Sequence, residues 1–421
     1  MTERLLQFIW QFQYFNNKEL HLDSGESLQA IFPGLHNLHQ GPDFLEAKIK
    51  IDNTILAGNI ELHIQASDWY KHAHDGDKNY NNIILHVVWN NDEPKLAKNI
   101  PTLSLDNRVS KFLLSRYDEL MRSSLFVPCE KILSQVKEIV WASWNQRLLA
   151  ERLQRKSKDV EDHLGLNNQH WEEIFWWMLA KNFGIKVNAE TFEAMAKSIP
   201  VNILAKHKNQ IHQLEALLFG QCGLLESVFS ESYPVMLQKE YRFLKNKYSL
   251  KPIHMPVHFL RMRPGNFPTV RLAQLAMLVQ QSSHLFSKIK EVQSISELKK
   301  MLSLAANDYW NEHYVFDEPS ASKKKILGNQ MIENIIINTI VPVLFAYGHL
   351  NKETATKEKA IKWLDELPPE KNNITVQWAQ AGVSNKNASD SQSLIELKTQ
   401  YCDQRRCLEC TVGNSLMKNS L

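Results

Sequence analysis

From Glu46 to Ile51 polar and apolar residues alternate. Ala47, Ile49 and Ile51 fall on one side, and Glu46, Lys48 and Lys50 on the other. A period of two predicts a half-buried strand. Asp52–Asn53 follows as a two-residue turn, and TILAGNIELHI returns as the second arm of a hairpin. NIILHVVW (82–89) is apolar on both faces, which predicts a central strand, and PTLSL (101–105) predicts a fourth. Ahead of the hairpin, Leu5, Ile9, Trp10 and Phe12 share one face at helical spacing within residues 3–14. Pro33–Gly34 and Gly41–Pro42 mark turns between that helix and the hairpin.

Beyond Trp141 the period becomes helical, in WASWNQRLLAERLQ, HWEEIFWWMLAKNF, AETFEAMAKSI, VRLAQLAMLVQQ and ENIIINTIVPVLFAYG. Trp171, Trp176 and Trp177 read as core. Asn188 stands where a helix N-cap belongs. Lys239–Lys251 and Ser320–Lys325 read as exposed charged connections, and GVSNKNASDSQSL as a polar stretch before a short helix ending in cysteines. The pattern predicts an α+β N-terminal domain over 1–125 with a β-hairpin plus central strand. A mainly α-helical domain over 126–390 and a cysteine segment over 391–421 follow.

The chain has 421 residues, 43% hydrophobic and 23% charged, which suits two or three globular domains. A net charge of +3 is too small to mark a nucleic-acid binder by bulk electrostatics, while leaving room for a local basic groove. Glutamines interrupt the apolar N-terminal stretch and no small-residue cleavage site follows, so no signal peptide is expected. No run reaches the roughly eighteen apolar residues of a membrane span. The expectation is a cytoplasmic protein without a membrane partner.

Polar chemistry concentrates between Gly41 and His86. Asp43 follows Gly41–Pro42 at the entry to the hairpin, and Glu61 and His63, two apart on the return strand, project to one face. Two carboxylates with open positions suit Mg²⁺ or Mn²⁺ beside a phosphate, and a nearby base can activate water. Gly41-Pro42-Asp43 with Glu61-Leu62-His63 resembles the Pro-Asp…(Asp/Glu)-x-Lys signature, PD-(D/E)XK, of the restriction-endonuclease-like superfamily. The resemblance implies a restriction-endonuclease-like fold, a divalent metal, and DNA or RNA as substrate, with Asp43, Glu61 and His63 as catalytic residues. His63 stands where that family has lysine, so its charge is not permanent at neutral pH.

Downstream lie His72, His74, Asp77 and His86, residue types that ligate Zn²⁺, Mn²⁺ or Fe²⁺. With Glu61 and His63 they give six candidate ligands within twenty-six positions and a second picture, a metal enzyme in a small β-barrel of cupin-like flavour acting on a small molecule. Plain structural roles compete for each residue. Asp43 suits a turn cap, loop histidines suit solvation, and His86 suits a hydrogen-bonded core position.

Five cysteines are present, and Cys402, Cys407 and Cys410 follow a Cys-x4-Cys-x2-Cys spacing. Cys-x2-Cys presents two thiolates to one metal, so Zn²⁺ or an iron–sulfur cluster is expected there, with packed free thiols as the alternative. The pattern also resembles the iron–sulfur loop of helical DNA glycosylases, which has four cysteines at other spacings. Cys129 or His349 is the candidate fourth ligand. Arg405 and Arg406 would lower a neighbouring thiol's pKa. In RMRPGNFPTVR, Arg261, Arg263 and Arg271 surround Phe267 as a candidate phosphate grip in nucleic-acid binding, or as a solvated loop.

Four stretches, NLHQGPDFLEAKI, GNIELHIQASDWYKHAHDGDKNYNNIILHVVW, FPTVRLAQLA and YCDQRRCLECTVGN, resemble the bacterial domain-of-unknown-function family 2851 across nearly the whole chain. That resemblance implies kinship and no particular activity. Three functions remain: a metal-dependent nuclease, a non-catalytic scaffold keeping a degenerate nuclease fold, and a histidine-ligated transition-metal enzyme.

Overall fold

The structure, a computed structural model, describes every residue except 38, 73, 75–76, 94–99, 167–169, 261, 283 and 419–421. It is mixed: an N-terminal sheet is followed by a mostly helical region. Two compact units emerge. The first combines Met1–Gln146 with Gln377–Val383 and Glu396–Leu421, and the second holds Arg147–Val376 and Ser384–Ile395. The C-terminal cysteine segment therefore belongs to the same unit as the sheet.

In the first unit, α1 (Glu3–Gln11) starts at Thr2, whose hydroxyl accepts the Leu5 N–H at 3.2 Å. Its inward face is Leu5, Leu6, Phe8, Ile9 and Trp10, while Phe12 falls past the helix end and is exposed. The strands are β1 (Leu28–Phe32), β2 (Leu35–His36), β3 (Phe44–Ile51), β4 (Thr54–Gln65), β5 (Ile83–Asn90) and β6 (Thr102–Ser104). Sheet order is β1-β3-β4-β5-β6, with β2 also on β3. The hairpin β3–β4 is antiparallel, and β5 is parallel to both β4 and β6. A parallel neighbour requires a crossover. The β4-to-β5 crossover carries α2 (Asp68–Lys71) and a 3₁₀ turn at Lys78–Tyr80, and it delivers His72 and His74 beside β4. Leu85, His86, Val87 and Val88 of β5 are all buried, as a central strand demands.

One irregularity decides the geometry of the site. Ala47 pairs with Gly58 but Phe44 pairs with Ile60, so a bulge shifts the register by one residue between them. Glu46 sits in it with φ 57°, a left-handed conformation. A one-residue shift exchanges sheet faces. It brings Asp43, just before Phe44, across from Glu61.

The second unit is helical and buries an extensive apolar core. Several expectations change there. Lys239–Lys251 is no loop, since Ser232–Tyr248 is one helix. Asn188 occupies the N-cap position of Ala189–Ser198, yet its amide instead pairs with the backbone of His258, at 2.8 and 2.9 Å. The polar stretch around Ser389 contains a helix, Ala388–Glu396, with Ser389, Ser391 and Ser393 buried. Helix Asn329–Leu350 is apolar and long enough to cross a membrane by composition, although 72% of its most apolar window is buried in the protein. Its middle, Ile336–Ile340, widens to a π turn ahead of Pro342. Proline lacks an N–H and crowds the carbonyl four residues back, and the wider turn accommodates both defects.

Candidate metal centre

Asp43 is fixed from three sides. Gly41 precedes it at φ +108°, a conformation that side chains rarely adopt, and lets the chain turn into β3. The Asp43 carboxylate accepts from the Gln7 amide of α1 at 2.7 Å and from the Leu62 N–H at 3.0 Å. Its own N–H donates to Glu61 at 3.1 Å. Glu61 is only 5% exposed and His63 only 1%. Leu62, between them, faces the opposite side of β4 and is fully buried, so both faces of this strand are covered.

Around His63 the imidazoles converge. Its Nδ1 stands 2.8 Å from His86 Nε2, and its Nε2 stands 3.1 Å from His72 Nδ1. Glu61 Oε1 lies 3.6 Å from His63 Nε2 and 3.3 Å from His74 Nε2. His63, His72 and His74 each offer a ring nitrogen, all within 4.8 Å of one another. Ligand atoms about 2.1 Å from a shared ion stand roughly 3.0–3.4 Å apart, so these spacings fit a common cation. Trp69, fully buried, turns its edge toward His74 and His86, and Tyr80 stacks on His74 at 3.9 Å between ring centres. The centre is thus walled by aromatic rings and opens where His72 is exposed and Asp43 half-buried.

Electrostatics match the geometry. Burial, reinforced by neighbouring imidazoles, pushes His63 down to about 3 and His86 down to about 4. Both rings are therefore neutral at physiological pH and hold lone pairs, the form that binds a metal. Burial also pushes Asp43 and Glu61 well above the usual carboxylate range, and the Asp43 charge adds to the shift on Glu61. Without a cation, Glu61 is then a neutral acid beside the neutral rings of His63 and His86. A divalent ion bound to Glu61 would replace its proton. Three imidazoles and a carboxylate suit Mn²⁺, Fe²⁺ or Zn²⁺ better than Mg²⁺, which prefers oxygen.

Not every expected residue joins. Asp77 accepts the Asn79 N–H at 2.9 Å and caps the 3₁₀ turn. His86 supports His63 from behind. Two participants were missed by sequence reasoning. Gln7 orients Asp43, and Glu3, pushed up by burial and sensing His72, adds negative charge near Asp43 and Glu61. Their positions, one helical turn apart on the polar side of α1, were the available signal.

In the second unit, Arg263 and Arg271 line a polar cleft of about 870 Å³ with Lys181 and Lys186. Arg271 lies in helix Pro268–Gln281 rather than in a loop, is buried, and donates to Gln274 at 2.9 Å and to Asn266. Burial lowers it to about 10. Arg261 lies outside the described residues.

No curated protein and no solved structure matched the chain. A family model described as protein of unknown function (DUF2851) matches residues 3–373. The chain belongs to the DUF2851 family.

Proposed function

We propose that Glu61, His63, His72 and His74 hold a divalent transition metal, and that the unit uses it for metal-assisted hydrolysis of phosphodiester bonds in DNA or RNA. The observation that carries this reading is the meeting of Glu61 Oε1 with His63 and His74, and of His63 with His72, at 3.1–3.6 Å. A cation there would lower the pKa of bound water and polarise a phosphoryl oxygen. Asp43, whose carboxyl is raised by burial and held beside Glu61, would exchange the proton of the attacking water. His86 would keep the His63 ring in its tautomer. The phosphodiester assignment draws support from the helix α1, the β3–β4 hairpin with its Asp43…Glu61-x-His63 spacing, and the parallel β5 beside it, elements that a restriction-endonuclease-like site uses.

The test is turnover by protein loaded with Mn²⁺, Zn²⁺ or Fe²⁺ on single- and double-stranded DNA, RNA and a small phosphodiester. Cleavage is expected, and Glu61→Gln and His63→Ala should abolish it. Bound metal without cleavage of any of these would reject the nuclease assignment. A second reading then takes precedence: a metal enzyme for a small substrate, favoured by the near-complete burial of Glu61, His63 and His74.

A further inference from the structure

Cys129 closes the set that the C-terminal spacing leaves incomplete. Within the first unit, Cys129, Cys402, Cys407 and Cys410 line one small cavity together with Leu120, Pro128 and Tyr401. All four thiols are free of disulfides. His349, the alternative fourth ligand, is exposed and belongs to the second unit.

The local backbone is built to gather these sulfurs. Cys402 ends a π-helical stretch, Leu397–Cys402, a distortion frequent at functional sites. Arg405 follows in a left-handed conformation, φ 54°, and its guanidinium donates to the carbonyls of Leu120 and Ser123, which ties the loop to the end of α3 (Lys111–Arg122). Gly413 approaches so closely that an added Cβ would stand 2.1 Å from the Cys407 carbonyl oxygen, so only glycine fits. Cys410 accepts from the N–H groups of Val412 and Gly413, donors that stabilise a thiolate.

Four cysteine sulfurs around one cavity are the ligand set either of a single Zn²⁺, at Zn–S bonds of about 2.3 Å, or of an iron–sulfur cluster. We propose that Cys129, Cys402, Cys407 and Cys410 together ligate one such thiolate-bound metal centre, which pins the C-terminal segment within the sheet-bearing unit.

The experiment is anaerobic purification of the full chain, with iron, zinc and acid-labile sulfide measured beside the visible spectrum. Either about one zinc per chain without sulfide, or iron with matching sulfide and a broad visible chromophore, is expected at the cysteines. Cys129→Ser and Cys402→Ser should lose that metal, while Cys222→Ser, in the second unit, and His63→Ala keep it. Wild-type protein that holds neither zinc nor iron, and takes up neither on reconstitution with Zn²⁺ or with ferrous iron and sulfide, would overturn the centre. Full metal retention in Cys129→Ser would overturn its place as fourth ligand. The wild-type measurement decides whether a centre exists even if a variant fails to fold, and His63→Ala separates this site from metal on the histidines.

Discussion

His63 Nδ1 lies 2.8 Å from Nε2 of the buried His86. For His63 Nε2 to present its lone pair toward Glu61, His72 and His74, the proton must sit on Nδ1 and be donated to His86. The His86 proton then sits on its own Nδ1, which has no partner among the described residues. Supporting imidazoles of this kind fix the tautomer and direction of a ligand.

His86→Phe should therefore weaken binding of Mn²⁺ or Zn²⁺ at the histidine centre by about 10- to 100-fold, with the fold retained. Chelator competition measures this directly. Unchanged affinity would reduce His86 to a packing residue.

Metal uptake should release protons. Glu61 is raised by burial and by the nearby Asp43 charge, so it holds its proton to higher pH than an ordinary carboxylate, and a cation bound there must displace it. Affinity should rise with pH across the neutral range, because the competing proton becomes scarcer. Titration calorimetry in buffers of different ionisation enthalpy counts the released protons. Glu61→Gln should release fewer and bind more weakly. Pure pH independence would contradict the assigned ligand.

A separate pH effect belongs to the second unit. Glu215 is fully buried, and its carboxylate accepts from the Tyr233 hydroxyl at 2.6 Å, the Asn307 amide at 2.6 Å and the Trp310 indole at 3.1 Å. Desolvation outweighs these bonds and raises it from 4.5 to about 7. A raised folded-state pKa means that the native protein binds more protons than the unfolded chain. Stability is then greatest below 4.5 and falls as pH rises through about 7, by about 3 kcal/mol at most for this group. Glu215→Gln, which keeps the shape of the neutral acid, should flatten that part of the pH profile in denaturant titrations. An unaltered slope would show that Glu215 is ionised in the fold.

Much of the first unit was legible. Strict alternation in β3, the Asp52–Asn53 turn and the doubly apolar β5 carry their own periodicities, and acids and histidines cluster in sequence between Asp43 and His86 where the candidate centre is proposed. The bulge at Glu46 was not legible, because a left-handed glutamate has no compositional signal, yet it sets Asp43 opposite Glu61. Cys129 is far from its partners in sequence and meets them only through tertiary folding. Helix Ala388–Glu396 misled by its serines. Ser391 and Ser393 return their hydroxyls to carbonyls four residues back, at 3.2 and 3.0 Å, so polar residues are buried at little cost.

Catalytic and binding roles should separate at Asp43. Asp43→Asn keeps the size and one acceptor but cannot take a proton. Metal binding should persist within a few-fold while phosphodiester turnover falls by about 100-fold or more, the usual scale of a lost general base. Equal loss of metal and turnover would make Asp43 a ligand instead.

The most direct measurement is anomalous diffraction at the metal edge from crystals soaked in Mn²⁺ or Zn²⁺. A peak about 2.1 Å from Glu61 Oε1 and from the nitrogens of His63, His72 and His74 is the expected result. A peak at the cysteines alone, with the histidine centre bare at saturating metal, would contradict the account.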